Sequence, residues 1–513
     1  MKEQKVLRTA GFMAFATLLA KLCGLIRDSL IAAYFSTGIE ADAFLTASKL
    51  PTLLFDMVLG GVITASFIPV FNSILEKENR EKALSYANKL ISVVFLISGA
   101  ICLLGIVFAD ELVYLQAPSF STEKHNLTAL LSSIMFPMII FTGLAFSFVG
   151  ILQSFGEFNI PAIISLVSNL VLILYFPIFG KSFGVRGLSV AMVIAWSLQV
   201  IVQIPSLIKL KIKIRPDFRF FDKNIKSTLL LAGPMLISTW VQPLYSIVNS
   251  RFASAIDGAP AVLELANRLY TVLVGVFSFV VTNLIFPKLA RANASDNREE
   301  SKALIVTSLK AILLIILPLS IGFIILSKPV TSIIYEHNKF TPQDVILVST
   351  ALKCYAVGMV GFAVNEILSK FFFSLQDSKT PMRNSILSMI ANIILAYILF
   401  RILKTPGLAL AAAFGSIINA LLNALSVGRK FKGFFSKSDW TSILKIVASS
   451  AVMGVITFTL YSAFDGYLYG TVLGNIVLCA VCAVISVLVY FIICYLLKVD
   501  ILRNTLDGFF HKN

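Results

Sequence analysis

KLCGLIRDSLIAAYFSTGIEADAFLTASKLPTLLFD, residues 21–56, holds two apolar runs joined at Ser36-Thr37-Gly38, and each run carries charges it should not need. Lys21, Arg27 and Asp28 lie in the first and Asp42, Lys49 and Asp56 in the second. At about 100° per residue, Lys21 and Asp28 share one helix face two turns apart, and Asp42 and Lys49 repeat that spacing. Both helices can therefore line one polar cleft. The rest of the chain identifies the solvent around them. Of 513 residues 58% are hydrophobic and only 14% charged, whereas soluble domains carry about 25% charged residues. The bilayer is that solvent, and ionisable groups inside it cost several kcal/mol unless they face a polar cavity.

Working outward, apolar stretches long enough to span a bilayer recur near 7–34, 43–73, 84–109, 127–152, 160–179, 186–208, 226–250, 261–287, 303–327, 343–374, 382–402, 407–428, 441–464 and 469–497, fourteen in all. Lys2, Lys5 and Arg8 precede the first in the manner of a signal peptide, but Lys21, Arg27 and Asp28 interrupt it and no small-x-small site follows, so a retained helix is expected. Lys+Arg 43 against Asp+Glu 27 gives a net charge of +16. In a soluble protein that would suggest nucleic acid; here it reads as positive cytoplasmic loops. Basic residues such as Lys77, Arg80, Lys82, Lys209, Lys211, Lys213, Arg215, Arg291, Arg383 and Arg429 fall on the side of both termini. They outnumber those on the other side, among them Lys124, Lys181, Lys328 and Lys339, by roughly three to one. Both termini are expected in the cytoplasm, which requires an even number of spans.

The sequence also repeats itself at an offset of about 220 residues. SFGEFNIP, ending at Pro161, matches SLQDSKTP, ending at Pro381, and GLSVA at 187–191 matches GLALA at 407–411. Six spans separate the copies, so the halves enter the membrane in the same direction. The expected fold is an all-α membrane protein of fourteen transmembrane helices: two parallel-repeat six-helix lobes, 1–210 and 211–431, and two added helices over 432–513.

Other features carry less chemistry. All six cysteines lie inside or at the ends of apolar stretches, and Cys479-x-x-Cys482 has no second ligand pair, so it reads as helix packing. Lys310, Lys353 and Lys370 lie near span ends and are expected to snorkel to the interface. Pro51, Gly60, Gly61, Pro234, Pro243 and Pro318 place helix breakers beside the charges. No GxxxxGK[ST], HExxH or GxSxG occurs, so neither nucleotide hydrolysis nor those catalytic centres are expected. The chain reads as a transporter rather than an enzyme. Arg27 and Arg268 stand out because a planar guanidinium suits phosphate or carboxylate.

The Lys21–Asp56 stretch, continuing to SFIPVF at 66–71, closely resembles the opening of the MurJ/MviN family, the lipid II flippases of the multidrug/oligosaccharidyl-lipid/polysaccharide exporter superfamily. The resemblance continues in LANRLYTVLVGVFSFVVTNLIFPKLAR (265–291), YEHNKFTPQD (335–344) and FFFSLQDSKTP (371–381). It implies two lobes around a central cavity that opens alternately to either side, with helices 13 and 14 forming a groove for a polyprenyl tail. The family's cationic cavity residues map onto Lys21, where arginine is usual, and onto Arg27 and Arg268; its aspartate at the start of helix two maps onto Asp42. Asp28 and Lys49 add cavity charge. Phe55 stands where an arginine is common, and Gly60 where some members have glutamate. Family members use a sodium site between helices seven and eleven, for which Asn249 and Asp377 are the oxygen-bearing candidates, with Na+ as coupling ion and no other cofactor.

The implied function is export of lipid II, an undecaprenyl-diphosphate-linked peptidoglycan precursor, across the bacterial cytoplasmic membrane. The partners are that lipid and the surrounding membrane lipids, with no nucleic acid or nucleotide. A flippase for another polyprenyl-diphosphate-linked oligosaccharide has the same physics, and Phe55 and Gly60 keep it open. A cation-coupled drug exporter should show a carboxylate-rich cavity, against which Arg27 and Arg268 argue, and a polyprenyl-phosphate enzyme should show an acidic metal cluster.

Overall fold

A computed structural model of the chain describes residues 2–60, 67–219, 225–226, 228, 240–295, 297–430, 434–468 and 470–502. Among them every regular element is helical, as expected where a bilayer leaves backbone groups no other partner. In order these are α1 (Lys2–Phe35), α2 (Ile39–Phe55) running into a π-helical turn (Asp56–Gly60), α3 (Ile68–Lys77), α4 (Arg80–Val107) and α5 (Ala109–Gln116). Then come α6 (Thr122–Met135), α7 (Met138–Ser154), α8 (Asn159–Ile201), α9 (Ile204–Lys209), α10 (Val241–Ala253) and α11 (Ala259–Ala294). The remainder are α12 (Arg298–Tyr335), α13 (Pro342–Val357), α14 (Met359–Ser374), α15 (Lys379–Leu403), α16 (Thr405–Lys430), α17 (Lys437–Leu468) and α18 (Val472–Leu496). Ten helical segments among the described residues are long and apolar enough to cross a membrane, or up to eleven when α13 and α14, bent by 45°, form one span. The chain is a multi-span membrane protein. About half of the expected seventh span, with Pro234, and Gly61 and Ser66 lie outside the described residues.

The chain divides into two compact units, Met1–Ala261 and Val262–Asn513. The division falls inside α11, whereas the repeat boundary read from sequence falls at 210/211. Element boundaries keep the repeat register. Gly156 (φ 79°) and Gln376 (φ 57°), 220 residues apart, take the same left-handed position after α7 and α14. The bonds around them match: Glu157 N donates to Leu152 O at 2.9 Å, and Asp377 N to Phe372 O at 2.9 Å. Glu157 Oε1 then accepts from Asn159 N, and Asp377 Oδ1 from Thr380 N, so each acid caps the next helix. The same offset relates Ser121, which accepts from Lys124 N at the start of α6, to Thr341, which accepts from Asp344 N at the start of α13. It also relates Gly184 (φ 52°, ψ −144°), which breaks α8 into two arms, to Lys404 (φ 57°, ψ −132°), which separates α15 from α16. The apolar stretch Asn159–Lys209 is therefore two arms with a turn between them.

In the first unit α1 packs on α8, α2 on α6, and α4 on α7. Phe67, Phe71, Tyr86, Leu90, Phe136 and Ile151 form a buried cluster behind them. In the second unit α14 lies backbone to backbone on α16: a Cβ at Gly361 would meet Ile417 N and Cα at 2.7 Å, so only glycine allows the approach. A seam of amides crosses these helices, Asn423 donating to Asn365 at 2.7 Å and Asn384 donating to Asn423 at 2.8 Å.

The last two helices are tied along the length of α12. Asn475 Nδ2 donates to Ser332 Oγ at 2.8 Å, Tyr490 Oη to Leu314 O at 2.8 Å, and Lys310 Nζ pairs with Asp439 at 2.7 Å and Asp500 at 3.1 Å. The expectation that Lys310 snorkels to the interface is corrected here. Its side chain is 10% exposed, because two carboxylates from the C-terminal helices neutralise it where it stands.

Candidate functional site

In the first unit the charged face of α1 meets α8. Arg27 turns its Nε and Nη2 to one oxygen of the adjacent Asp28, at 2.9 and 2.7 Å, and its Nη1 to Asn169 Oδ1 of α8 at 2.9 Å. Asn169 in turn donates its Nδ2 to Ala20 O at 3.0 Å, so the amide is fixed at both ends. Gly24 faces this amide, and a Cβ there would rest in ordinary contact, 3.7 Å from the Asn169 amide nitrogen. Among the described residues these contacts take three of the five N–H donors of the guanidinium. One N–H remains on each terminal nitrogen, the pair that grips two oxygens of a phosphate. Arg27 is 15% exposed and Asp28 7%, so the group is nearly dry without being sealed. Lys21, about one and a half turns earlier on α1, is half-buried.

Asp42 is built differently. It has no exposed surface, accepts from Gly258 N and Ala261 N at 2.8 and 2.9 Å, and pairs with Lys124 at 2.8 Å. A carboxylate at the first amides of α11 satisfies donors that a helix start leaves open and matches its dipole. Lys124, 1% exposed, also bonds Asp257 at 2.7 Å. In this conformation Asp42 is held by protein groups on every side, with Lys124 as its ionic partner. Lys49, two turns later on the same face of α2, is half-buried.

Phe55 explains how the chain accommodates the absence of a cation at that position. Its ring is 5% exposed, stacks on Phe146 at 6.0 Å and lies over Gly143 of α7. Asp56 opens the π-helical turn, and its Oδ1 would stand 3.4 Å from a Cβ on Gly60. A glutamate at position 60 would crowd a second acid against Asp56. Trp240 Nε1 donates to Met57 O at 2.7 Å, satisfying a carbonyl inside the π-helical turn.

In the second unit Arg268 of α11 is half-exposed and pairs through Nε with Glu264 one turn earlier, at 3.0 Å. Asp377 bonds Thr380 and pairs with Lys430 of α16. Burial alone would raise its carboxyl, but the Lys430 and Thr380 hydrogen bonds hold it down to about 2. Its charge is therefore already matched, which fits a helix cap better than a cation ligand. Asn249 of α10, in the first unit, donates Nδ2 to Tyr245 O, and its Oδ1 is buried with no hydrogen-bond partner among the described residues. That oxygen is left open, whereas the Asp377 carboxylate is already paired with Lys430.

Asn169, Lys124, Asp257 and Glu264 were missed as site residues. A neutral amide in the apolar run 160–179 is the one of these the sequence could have flagged, since a polar group there needs a partner. Lys124 reads as a loop cation, and only the fold buries it.

The sequence model of the family described as lipid II flippase MurJ matches residues 31–478. The chain belongs to the lipid II flippase MurJ family. It is 27% identical over 510 residues to a probable lipid II flippase MurJ of Buchnera aphidicola subsp. Acyrthosiphon pisum, covering 98% of each chain. The fold matches that of a solved lipid II flippase MurJ in an inward closed conformation, with a TM-score of 0.81 and 24% identity over 95% of this chain and 99% of that one. It also resembles the inward-facing form of a multidrug resistance MATE family transporter of the MOP superfamily, with a TM-score of 0.69 and 16% identity over 81% of this chain and 95% of that one. As a family member the chain joins a class of transporters.

Proposed function

We propose that this chain moves lipid II from the inner to the outer leaflet of the bacterial cytoplasmic membrane by alternating access. Membership of the MurJ family and full-length likeness to a relative bearing that name support the cargo. The observation that carries the chemistry is Arg27, fixed side-on by Asp28 and Asn169 with one donor left on each terminal nitrogen. A diphosphate offers the oxygens to complete that fork. Lys21 adds a point charge and Arg268 a second guanidinium. Asp28 and Lys49 set the local charge, and Asp42 acts through Lys124 and the start of α11. We read the chain as fourteen spans in two six-helix repeats plus α17 and α18, a reading that the 220-residue register and the turn at Gly184 support. With both termini cytoplasmic, the inside-negative potential favours outward movement of an anionic head by roughly 2.3 kcal/mol per charge per 100 mV. Sodium coupling would use Asn249 Oδ1, with ligands other than Asp377.

The test is outer-leaflet lipid II exposure in bacteria depleted of their own flippase and supplied with this chain, or with Arg27→Ala or Arg268→Ala at matched expression. Wild type should restore exposure and growth, and the arginine variants should not. If correctly inserted wild type restores neither, the cargo is wrong. The second reading, a flippase for another polyprenyl-diphosphate-linked oligosaccharide, then leads, and the burial of Phe55 at a position where the family resemblance implies an arginine favours it.

A further inference from the structure

The segment after α9 is an extended strap laid along α4. In KLKIKIR (209–215) buried and exposed positions alternate: Ile212 is buried, Leu210 and Ile214 are partly buried against the same core, and Lys209, Lys211, Lys213 and Arg215 are exposed. Lys209 closes α9 and Lys211 (φ 54°) turns the chain out of it; beyond that turn alternate side chains face opposite ways, which sets Lys213 and Arg215 about 7 Å apart. The strap is held in place. Arg80 donates to Leu210 O and lies over the Phe155 ring. Asn88 brackets the strap, accepting from Arg215 N at 3.1 Å and donating to Lys213 O at 3.4 Å, and Ser92 Oγ accepts from Asp217 N at 2.9 Å. Charge needed only to orient a loop requires none of this fixation. Asp217, the acid at its end, is spent on Arg219 through two bonds, at 2.9 and 2.8 Å.

The depth of the strap follows from α4. Its uncharged run, Leu90–Val107, rises about 27 Å, close to the roughly 30 Å of a hydrocarbon core. The hydrocarbon boundary therefore falls near Lys89, between the two residues that hold the strap. Arg215 and Asp217 stand at that boundary, with Phe218, 58% exposed, next to them. Lys209, Lys211 and Lys213 lie further out, at headgroup depth. Ile208, 68% exposed, flanks the other end. Fixed cations at phosphate level with an aromatic at the boundary match the requirements for binding an acidic lipid surface.

We infer that the Lys209–Arg219 strap is a docking surface for anionic phospholipid headgroups of the leaflet it borders. This inference is independent of the cargo. The test uses the full chain in nanodiscs of phosphatidylcholine with one-fifth phosphatidylglycerol, and counts co-purifying lipid by mass spectrometry. Wild type should retain phosphatidylglycerol over phosphatidylcholine. Lys213→Gln should reduce that preference about fivefold, and K209Q/K211Q/K213Q/R215Q should abolish it, at about 1 kcal/mol per cation near the surface. K209R/K211R/K213R, which preserves charge, should keep it, and confirms that the charge rather than a folding change is read. An unchanged preference in the quadruple variant overturns the proposal. So does displacement of the retained phosphatidylglycerol by added lipid II in equal amount, since the surface would then belong to the cargo. Lipid II translocation by the quadruple variant in phosphatidylcholine vesicles separates failure here from failure of the flippase reading.

Discussion

Arg27 spends Nε and one N–H of each terminal nitrogen inside the protein and keeps one on each, so its usefulness depends on what holds it. Asn169 does half of that holding. Asn169→Ala should leave the fold intact and weaken lipid II binding about tenfold, the scale of one hydrogen bond to a charged group. Asn169→Asp should weaken it further by adding a competing carboxylate. Equal binding by all three proteins, measured by titration of lipid II in detergent, would remove Asn169 from the site. Lys124 is the sharper stability test. Lys124→Met strands Asp42 without its ionic partner and should cost about 3–5 kcal/mol, while Asp42→Asn combined with it should recover a large part in a thermal melt. Arg27 was conspicuous in the sequence as a guanidinium in an apolar run, though its contact with Asn169 was not. The pairing of Asp42 was not legible either, because periodicity pointed it at the face of Lys49, and its actual partner comes from a helix 82 residues away.

At the scale of helices and turns, the repeat was legible as eight-residue matches and proved to be a repeat of backbone conformation. Gly184 and Lys404 show what each copy requires. Both have positive φ with strongly negative ψ, a region costly for any residue with a Cβ. Gly184→Ala should destabilise by about 1–3 kcal/mol, and Lys404→Gly should stabilise by a similar amount, read as opposite shifts in melting temperature. The Asp377 cap carries a pH statement. Its folded carboxyl sits at about 2, below its unfolded value, so its contribution is complete above about pH 4 and disappears as pH falls toward 2. The melting-temperature gap between wild type and Asp377→Asn, on the order of 1 kcal/mol, should therefore be flat from pH 5 to 8. A gap that closes within that range would show another group titrating. The π-helical turn at Asp56–Gly60 had no sequence signature beyond Gly60, since Pro51 and Gly60 announce a break without specifying its type.

Across the whole molecule, composition and the recurrence of apolar runs were enough for class and solvent, because a bilayer leaves few backbone solutions. What stayed hidden were contacts between distant parts of the chain. Lys310 reads as a snorkelling lysine because nothing within its own helix neutralises it. Its acids, Asp439 and Asp500, arrive only with α17 and after α18. That separation also has a consequence in time. Asp500 is made 190 residues after Lys310, which at about 5–20 residues per second is roughly 10–40 s of translation. Until Asp439 is made the membrane holds a nascent chain with an uncompensated cation in its ninth hydrophobic stretch, and until Asp500 is made one that is only half-neutralised. A chain halted after α16 would carry the defect permanently. Stop codons placed at 436 should therefore yield a protein cleared by membrane proteases within minutes, and Lys310→Leu in the same shortened chain should prolong its lifetime in a pulse-chase. The buried lysine marks whether synthesis has run far enough to be worth keeping.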